Sequence, residues 1–175
     1  MNRPVVALLA CGAVMSIAAL SGCTDNAPQA GQPSFYRDLA QPDAALDADA
    51  AQSMISGYRG NNGLGALTID PELMRLAGEQ AQAMAARDKL DHDAAHPFQE
   101  RIRKSGFAAV AVENIGAGYH TLAEAFSGWR DSPPHRANML NKDVTRMGIA
   151  AVYTPKSKYK VYWSLILAAP DERHG

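Results

Sequence analysis

The sequence predicts an α+β domain in which helices cover both faces of a central antiparallel sheet, as a three-layer α-β-α sandwich. Helical patterns come first along the chain, and strand patterns follow near its carboxyl end. Two strand-like runs, 146–153 and 159–168, are joined by the short segment 154–158, which predicts a hairpin. Both alternating sets of side chains in the second run are fairly apolar, so we expect helices on both sides of the sheet.

The early helices are predicted from residues that begin and end helices. Asp47 or Asp49 caps a first helix through residue 58, and Asp70, followed by proline, begins a second that ends near residue 89. A third helix begins at Pro97 and ends at Gly106. Each has apolar residues at helical spacing, which predicts one buried face.

The next elements are predicted from shorter patterns. The apolar run 107–112 favours a strand. Thr121 and Glu124 have the spacing of a capping box, in which each side chain bonds the backbone N–H of the other residue. Ser132 precedes two prolines and begins a short helix that carries His135.

Residues 1–22 have the pattern of a lipoprotein signal peptide. Arg3 precedes an apolar stretch of roughly 15 residues, shorter than the roughly 20 that a membrane-spanning helix needs. The stretch ends in Leu20-Ser21-Gly22-Cys23, which resembles a bacterial lipobox. We therefore expect export to the cell envelope and attachment to a membrane through a lipid on Cys23. The alternative is an ordinary signal peptide that is cleaved, with Cys23 present by chance and not lipidated.

The rest of the chain predicts one tethered domain. Residues 23–45 are rich in Ala, Gln, Asp and Pro and predict a flexible tether, residues 46–170 a single domain, and residues 171–175 a tail. The other cysteine, Cys11, lies in the signal segment, so the domain has no disulfide and depends on its core. With 17 basic and 18 acidic residues and no basic block, the chain is not expected to bind nucleic acid.

Three titratable residues, His92, Glu113 and His135, lie beside predicted turns rather than in apolar stripes. Their spacing matches no metal motif, since there is no His-Glu-x-x-His and no cysteine pair. The residues alone favour an exposed His92 and a turn-capping His135 over a shared site.

Several short motifs occur in order along residues 50–168. They are Tyr58-Arg59, Gly63-Leu64-x-x-Leu67, Asp70-Pro71-x-Leu73, Leu90-Asp91-His92 with Arg101 and Gly106, Glu113-Asn114-Ile115-Gly116-Ala117-Gly118, Trp129-x-x-Ser132-Pro133-x-His135-Arg136-x-Asn138-Met139-Leu140 and Met147-Gly148-Ile149. Together they resemble the bacterial branch of the CAP superfamily, which includes cysteine-rich secretory proteins, plant pathogenesis-related proteins and insect venom antigens. The resemblance implies an α-β-α sandwich, in agreement with the prediction above.

The resemblance also implies a cavity lined by two histidines and two glutamates. The matching positions here are His92, His135 and Glu113, whereas the second glutamate is replaced by Ser132. Glu124 is an alternative for that carboxylate, but its capping-box position explains it more simply.

A divalent cation such as Zn²⁺ is the cofactor that this cavity implies. Two imidazoles and one carboxylate can hold Zn²⁺ with an open fourth position, although the missing glutamate leaves no obvious general base. Asn114, Ser132 and Asn138 are candidates for hydrogen bonds behind those side chains. The favoured alternative is that the asparagines fix the local turns and that Ser132 caps a helix.

Three functions stay open at this point. The favoured one is a binding module for a lipid, another apolar ligand or a surface partner. The alternatives are a metal-dependent hydrolase acting on peptide or envelope material, and a structural protein of the envelope. They differ in whether His92, Glu113 and His135 face an open cleft or are sealed beneath a loop.

Overall fold

Helices precede and flank the strands in the computed structural model, which describes residues 31–107 and 110–170. The predicted signal peptide, Cys23 and the tail 171–175 lie outside these residues. A 3-10 turn over Ser34–Tyr36 is followed in chain order by helices and strands with these bounds: α1 Ala48–Asn61, β1 Thr68–Ile69, α2 Pro71–Arg87, α3 Phe98–Ser105, β2 Ala111–Ala117, α4 Leu122–Asp131, α5 Pro133–Met139, β3 Arg146–Tyr153 and β4 Val161–Ala168.

The sheet has the strand order β1-β3-β4-β2. β4 pairs antiparallel with both β3 and β2, which confirms the predicted antiparallel sheet and its hairpin. β1 pairs parallel with β3 and was not predicted. Its two residues are too few to show an alternating pattern.

Helices cover both faces of this sheet, as predicted. All eight residues of β4 are buried. Trp163 and Leu165 belong to the core cluster formed with α1, α4 and α5, whereas Ile166 belongs to the cluster formed with α2 and α3. The alternation of side chains along β4 therefore divides the core into two layers, giving the α-β-α sandwich.

The helix ends are fixed by the residues that predicted them. Asp47 and Asp70 accept backbone N–H bonds at the starts of α1 and α2. Both bonds of the capping box between Thr121 and Glu124 are present at α4. Gly106 ends α3 with a φ of 93°, a conformation that glycine adopts without strain.

The domain begins earlier than predicted. The compact unit that contains the sheet starts at Gln32, not at residue 46. Leu39 is buried, and Phe35 packs against the same core cluster. The backbone N–H of Leu39 also donates to the carbonyl oxygen of His120 at 2.7 Å. The prediction of a flexible tether is therefore wrong for residues 34–45, because isolated apolar residues without periodicity gave no sign that they pack.

The predicted strand 107–112 is displaced along the chain. β2 runs from Ala111 to Ala117, so Glu113 and Asn114 lie within a strand rather than beside a turn. Glu-Asn-x-Gly is a composition typical of turns, but pairing along the whole of β4 overrides that local preference.

We expect Gly148→Ala to lower the free energy of unfolding by about 3 kcal/mol, because α2 lies directly on β3 at this glycine. A Cβ atom at Gly148 would lie 2.1 Å from the carbonyl carbon of Leu73. Urea denaturation measures the change. The control is Gly78→Ala on α2, where a Cβ meets nothing within 4 Å and should stabilise the helix by about 1 kcal/mol. Unchanged stability of Gly148→Ala would contradict this packing.

Candidate functional site

A buried carboxylate lies at the centre of the candidate site. The Glu113 side chain, on β2, is 1% exposed. Its Oε1 atom accepts a hydrogen bond from Arg101 Nη2 at 2.9 Å, and Ser164 Oγ lies 3.4 Å from the same oxygen. Its Oε2 atom lies 2.8 Å from His92 Nδ1. The structure therefore joins two of the three predicted site residues, His92 and Glu113, through a direct hydrogen bond.

The loop between α2 and α3 carries His92, and side chains from both helices hold this loop in place. Gln80, fully buried on α2, donates to the carbonyl oxygen of Asp91 at 2.7 Å and accepts from the N–H of Ala95 at 3.2 Å. Arg101, on α3, donates to the carbonyl oxygen of His92 at 3.0 Å. The His92 side chain is nevertheless 51% exposed. Because the carboxylate accepts a hydrogen bond from Nδ1–H, neutral His92 presents an unprotonated Nε2.

The two histidines differ in their electrostatic surroundings. The hydrogen bond to Glu113 raises the pKa of His92 above its ordinary value of 6.5 and outweighs the opposing effect of partial burial. The pKa of His135 is lowered, mainly by burial and further by the charge of His92. His92 therefore takes up a proton at a higher pH than His135.

His135 lies on α5, and two asparagines fix that helix against β2. Asn114 Nδ2 donates to the backbone carbonyl of His135 at 3.0 Å. Asn138 Nδ2 lies within hydrogen-bonding distance of the carbonyl oxygen of Glu113, at 3.2 Å, and of Asn114 Oδ1, at 2.8 Å. Both asparagines thus bond to the backbone and to each other, in line with the favoured interpretation that they fix local structure.

Two other predicted residues, Ser132 and Glu124, lie at helix ends, and only Glu124 makes a capping hydrogen bond. Ser132 occupies the cap position of α5, but its side chain makes no capping hydrogen bond there, so the expected role as a cap is wrong. Glu124 Oε2 accepts the backbone N–H groups of His120 and Thr121 at 2.7 and 3.1 Å. Glu124 is therefore engaged at the start of α4 and does not replace the missing glutamate of the cavity.

An open cleft of about 510 Å³ lies beside this network. Its lining combines the His92–Glu113 pair with apolar side chains and comprises His92, Asp93, Pro97, Phe98, Gln99, Ala111, Val112, Glu113 and Asn138. His135 is not among these described lining residues. The cleft is thus open at His92, while the Glu113 carboxylate lies behind that imidazole.

Residues 52–167 match the model of the cysteine-rich secretory protein family, CAP. The chain belongs to this family. This confirms the resemblance found in the motifs, and the match includes His92, Glu113 and His135.

Among curated proteins, the CAP domain is similar to the uncharacterised protein YkwD of Bacillus subtilis (strain 168). The two are 33% identical over 103 residues, which cover 57% of this chain and 40% of YkwD. Among solved structures, an extracellular SCP-domain protein of Bacillus anthracis (strain Ames) is 22% identical with a TM-score of 0.62 over 74% of this chain and 44% of that one. An outer surface protein of Borrelia burgdorferi is 22% identical with a TM-score of 0.59 over 71% and 96%.

These relatives establish the fold of the CAP domain. At 22% identity, the two solved structures support the α-β-α architecture of this chain and no statement about its function. This chain spans less than half the length of YkwD and of the Bacillus anthracis protein. Among the described residues, none of the helices combines the length and the apolar composition that spanning a membrane requires.

The three-residue metal site implied by the resemblance does not fit the geometry. Within residues 31–107 and 110–170, no three His, Cys, Asp or Glu side chains are arranged to hold an ion. Both oxygens of Glu113 already accept hydrogen bonds from Arg101 and His92. The carboxylate therefore orients an imidazole instead of facing a shared position with His92 and His135.

Arg101 and Gln80 are residues of the candidate site that the sequence did not reveal. Arg101 was recognised only as part of a motif, without a role. The available signal was its position on α3, where it follows Phe98 by three residues and adjoins Ile102 on the buried face. A charged residue on an apolar helix face requires a buried partner, which here is Glu113.

Proposed function

We propose that this CAP-domain chain is an exported binding module of the bacterial cell envelope, anchored by a lipid on Cys23, and that the His92 cleft is its ligand site. The observation that carries the ligand site is the half-exposed imidazole held in an open cleft by a buried carboxylate. The descriptions of two relatives, an extracellular protein and an outer surface protein, support export.

The cleft has the mixed chemistry of a binding site. Phe98 and Val112 supply apolar contacts, and His92 Nε2 can accept a hydrogen bond from a ligand. Protonated His92 can donate instead. A few oriented polar groups among apolar walls are typical of sites that recognise a ligand.

A second groove offers an apolar ligand a site separate from the His92 cleft. It has a volume of about 500 Å³ and lies between the 3-10 turn and α1, lined by Pro33, Ser34, Phe35, Ala50, Ser53 and Met54. Phe35 and Met54 give it apolar walls, which suit a lipid chain better than the charged His92 cleft does.

Labelling with radioactive palmitate tests the anchor. The full chain expressed in a bacterial host should incorporate palmitate and fractionate with membranes. Cys23→Ser should lose the label, because the thiol that accepts the lipid is gone. Cys11→Ser is the matched control, since it changes a cysteine inside the signal segment and should keep the label. Equal labelling of all three chains would contradict the assignment of Cys23.

A panel of envelope lipids, cell-wall fragments and peptides tests the ligand site. Binding to the full chain is measured by calorimetry, and His92→Ala should weaken it at least tenfold. His120→Ala is the control, because His120 does not line the cleft. A ligand bound equally by both variants would place recognition elsewhere.

A metal-dependent hydrolase is the alternative function. It requires His92, Glu113 and His135 to share one ion, against the geometry of the Glu113 carboxylate described above. Zn²⁺ titration into the full chain, beside the double variant His92→Ala/His135→Ala, distinguishes the two. Stoichiometric binding that the double variant abolishes, together with hydrolysis of peptide, would replace the binding-module proposal.

A further inference from the structure

β2 is one of the two edge strands of the sheet in the described residues, and β1 is the other. The even-numbered residues of β2 form its backbone hydrogen bonds to β4. The N–H of Gly118 donates to the carbonyl oxygen of Val161, and the carbonyl oxygen of Val110 accepts from the N–H of Ala169. Both bonds fit the register in which the two strands pair. In an antiparallel pair, alternate residues bond across the ladder and the residues between them direct N–H and C=O groups away from it. Ala111, Glu113 and Ile115 therefore direct their backbone groups outward from the sheet.

Side chains cover this outer edge unevenly. The carbonyl oxygen of Ile115 accepts from Trp129 Nε1, and that of Glu113 accepts from Asn138 Nδ2, both at 3.2 Å. Toward the start of β2, no described residue bonds to the N–H of Ala111 or Glu113 or to the carbonyl oxygen of Ala111. Three backbone groups on one edge are thus left without a protein partner among the described residues.

The His92 cleft lies along this same edge. Ala111, Val112 and Glu113 all line it, with Phe98 from α3 and Asn138 from α5. Val110, just before the strand, is 43% exposed. A strand added to β2 would lie about 4.8 Å from it, on the side to which these unpaired backbone groups point.

We propose that the cleft binds an extended peptide segment, which adds as a fifth strand to β2 at Ala111–Glu113. This inference rests on the proposed function and names the ligand class of the same site. A peptide backbone supplies both the acceptors for the two N–H groups and the donor for the carbonyl, whereas a lipid chain leaves all three unpaired. His92 and Phe98 then contact side chains of the peptide, so they select its sequence.

A peptide library and backbone methylation test the inference on the full chain in detergent. Bead-bound hexapeptides of randomised sequence, blocked at both ends, are screened, and the tightest binder is labelled for fluorescence anisotropy. N-methylation of alternate amides should weaken binding at least tenfold in one register and less than threefold in the other. Only one set of amides faces β2, so this period of two is specific to strand addition.

A substitution in β2 provides a second test of the inference. Ala111→Pro removes an N–H that takes no part in the ladder to β4, so the sheet should fold and peptide binding should fall at least tenfold. Gly78→Ala is the control, because it lies on α2 outside the cleft lining, and it should bind as the original chain does. If Ala111→Pro does not fold, the methylation series on the unaltered chain decides.

Two results would overturn the inference: no binder in the library, or equal binding of both methylation registers. If peptides fail while another envelope component binds in a His92-dependent manner, strand addition is wrong and the proposed function stands. If no component binds the cleft, both the strand-addition inference and the proposed ligand site are wrong.

Discussion

Replacement of Arg59 by methionine is expected to lower the free energy of unfolding by about 4 kcal/mol. Arg59 lies near the end of α1 and is only 1% exposed. Its guanidinium donates to the carbonyl oxygens of Gly65, Met139, Asn141 and Val144 at 2.8–3.0 Å. Methionine fills much of the space but donates nothing, and each buried acceptor left unpaired costs roughly 1–3 kcal/mol.

Chemical denaturation measures this loss, and Arg75→Met provides the control. Arg75 is half-exposed on α2 and pairs with Glu72 and Glu79. Surface ion pairs of this kind contribute little, so the control should stay within about 1 kcal/mol of the original chain. Equal stability of the two variants would show that Arg59 does not join α1 to the end of α5 and to the segment between α5 and β3.

Replacement of Arg101 by methionine should cost about 3–5 kcal/mol, because it leaves the Glu113 carboxylate buried without its cationic partner. The variant also loses the bonds from Arg101 to the carbonyl oxygens of His92 and His96. Arg101 Nη1 has no hydrogen-bond partner among the described residues, so the loss comes from the bonds made by Nε and Nη2.

The double variant Arg101→Met/Glu113→Leu separates the charge from the packing. Removing both partners of a buried ion pair costs much less than removing one. We therefore expect the double variant to recover at least about 2 kcal/mol relative to Arg101→Met in the same denaturation experiment. A double variant less stable than Arg101→Met would mean that Glu113 stabilises the site independently of its partner.

The sequence predicts the helices well because local chemistry fixes their ends. Asp47, Asp70 and Thr121 cap α1, α2 and α4 where expected, since a capping side chain bonds N–H groups only two or three residues away. The apolar character of both faces of β4 likewise predicts a sheet covered on both sides.

The arrangement of the site depends on contacts between distant parts of the chain. Glu113 has the local composition of a turn, yet its pairing with β4 places it in a strand. Its carboxylate meets Arg101 and His92, which lie 12 and 21 residues away. The family resemblance identified His92 and Glu113, but no spacing rule states that the carboxylate accepts from the imidazole rather than facing an ion.

The protonation of His92 in the full chain tests most directly whether buried Glu113 presents this imidazole to the cleft. Nitrogen-resolved NMR across a pH titration should show neutral His92 protonated on Nδ1, with its pKa above 6.5 and shifted toward 6.5 in Glu113→Gln. Because the folded-state pKa is raised, the bond stabilises the fold fully below pH 6.5, and this contribution is lost as the pH rises through that pKa. A proton on Nε2 and a pKa at or below 6.5 would contradict the arrangement.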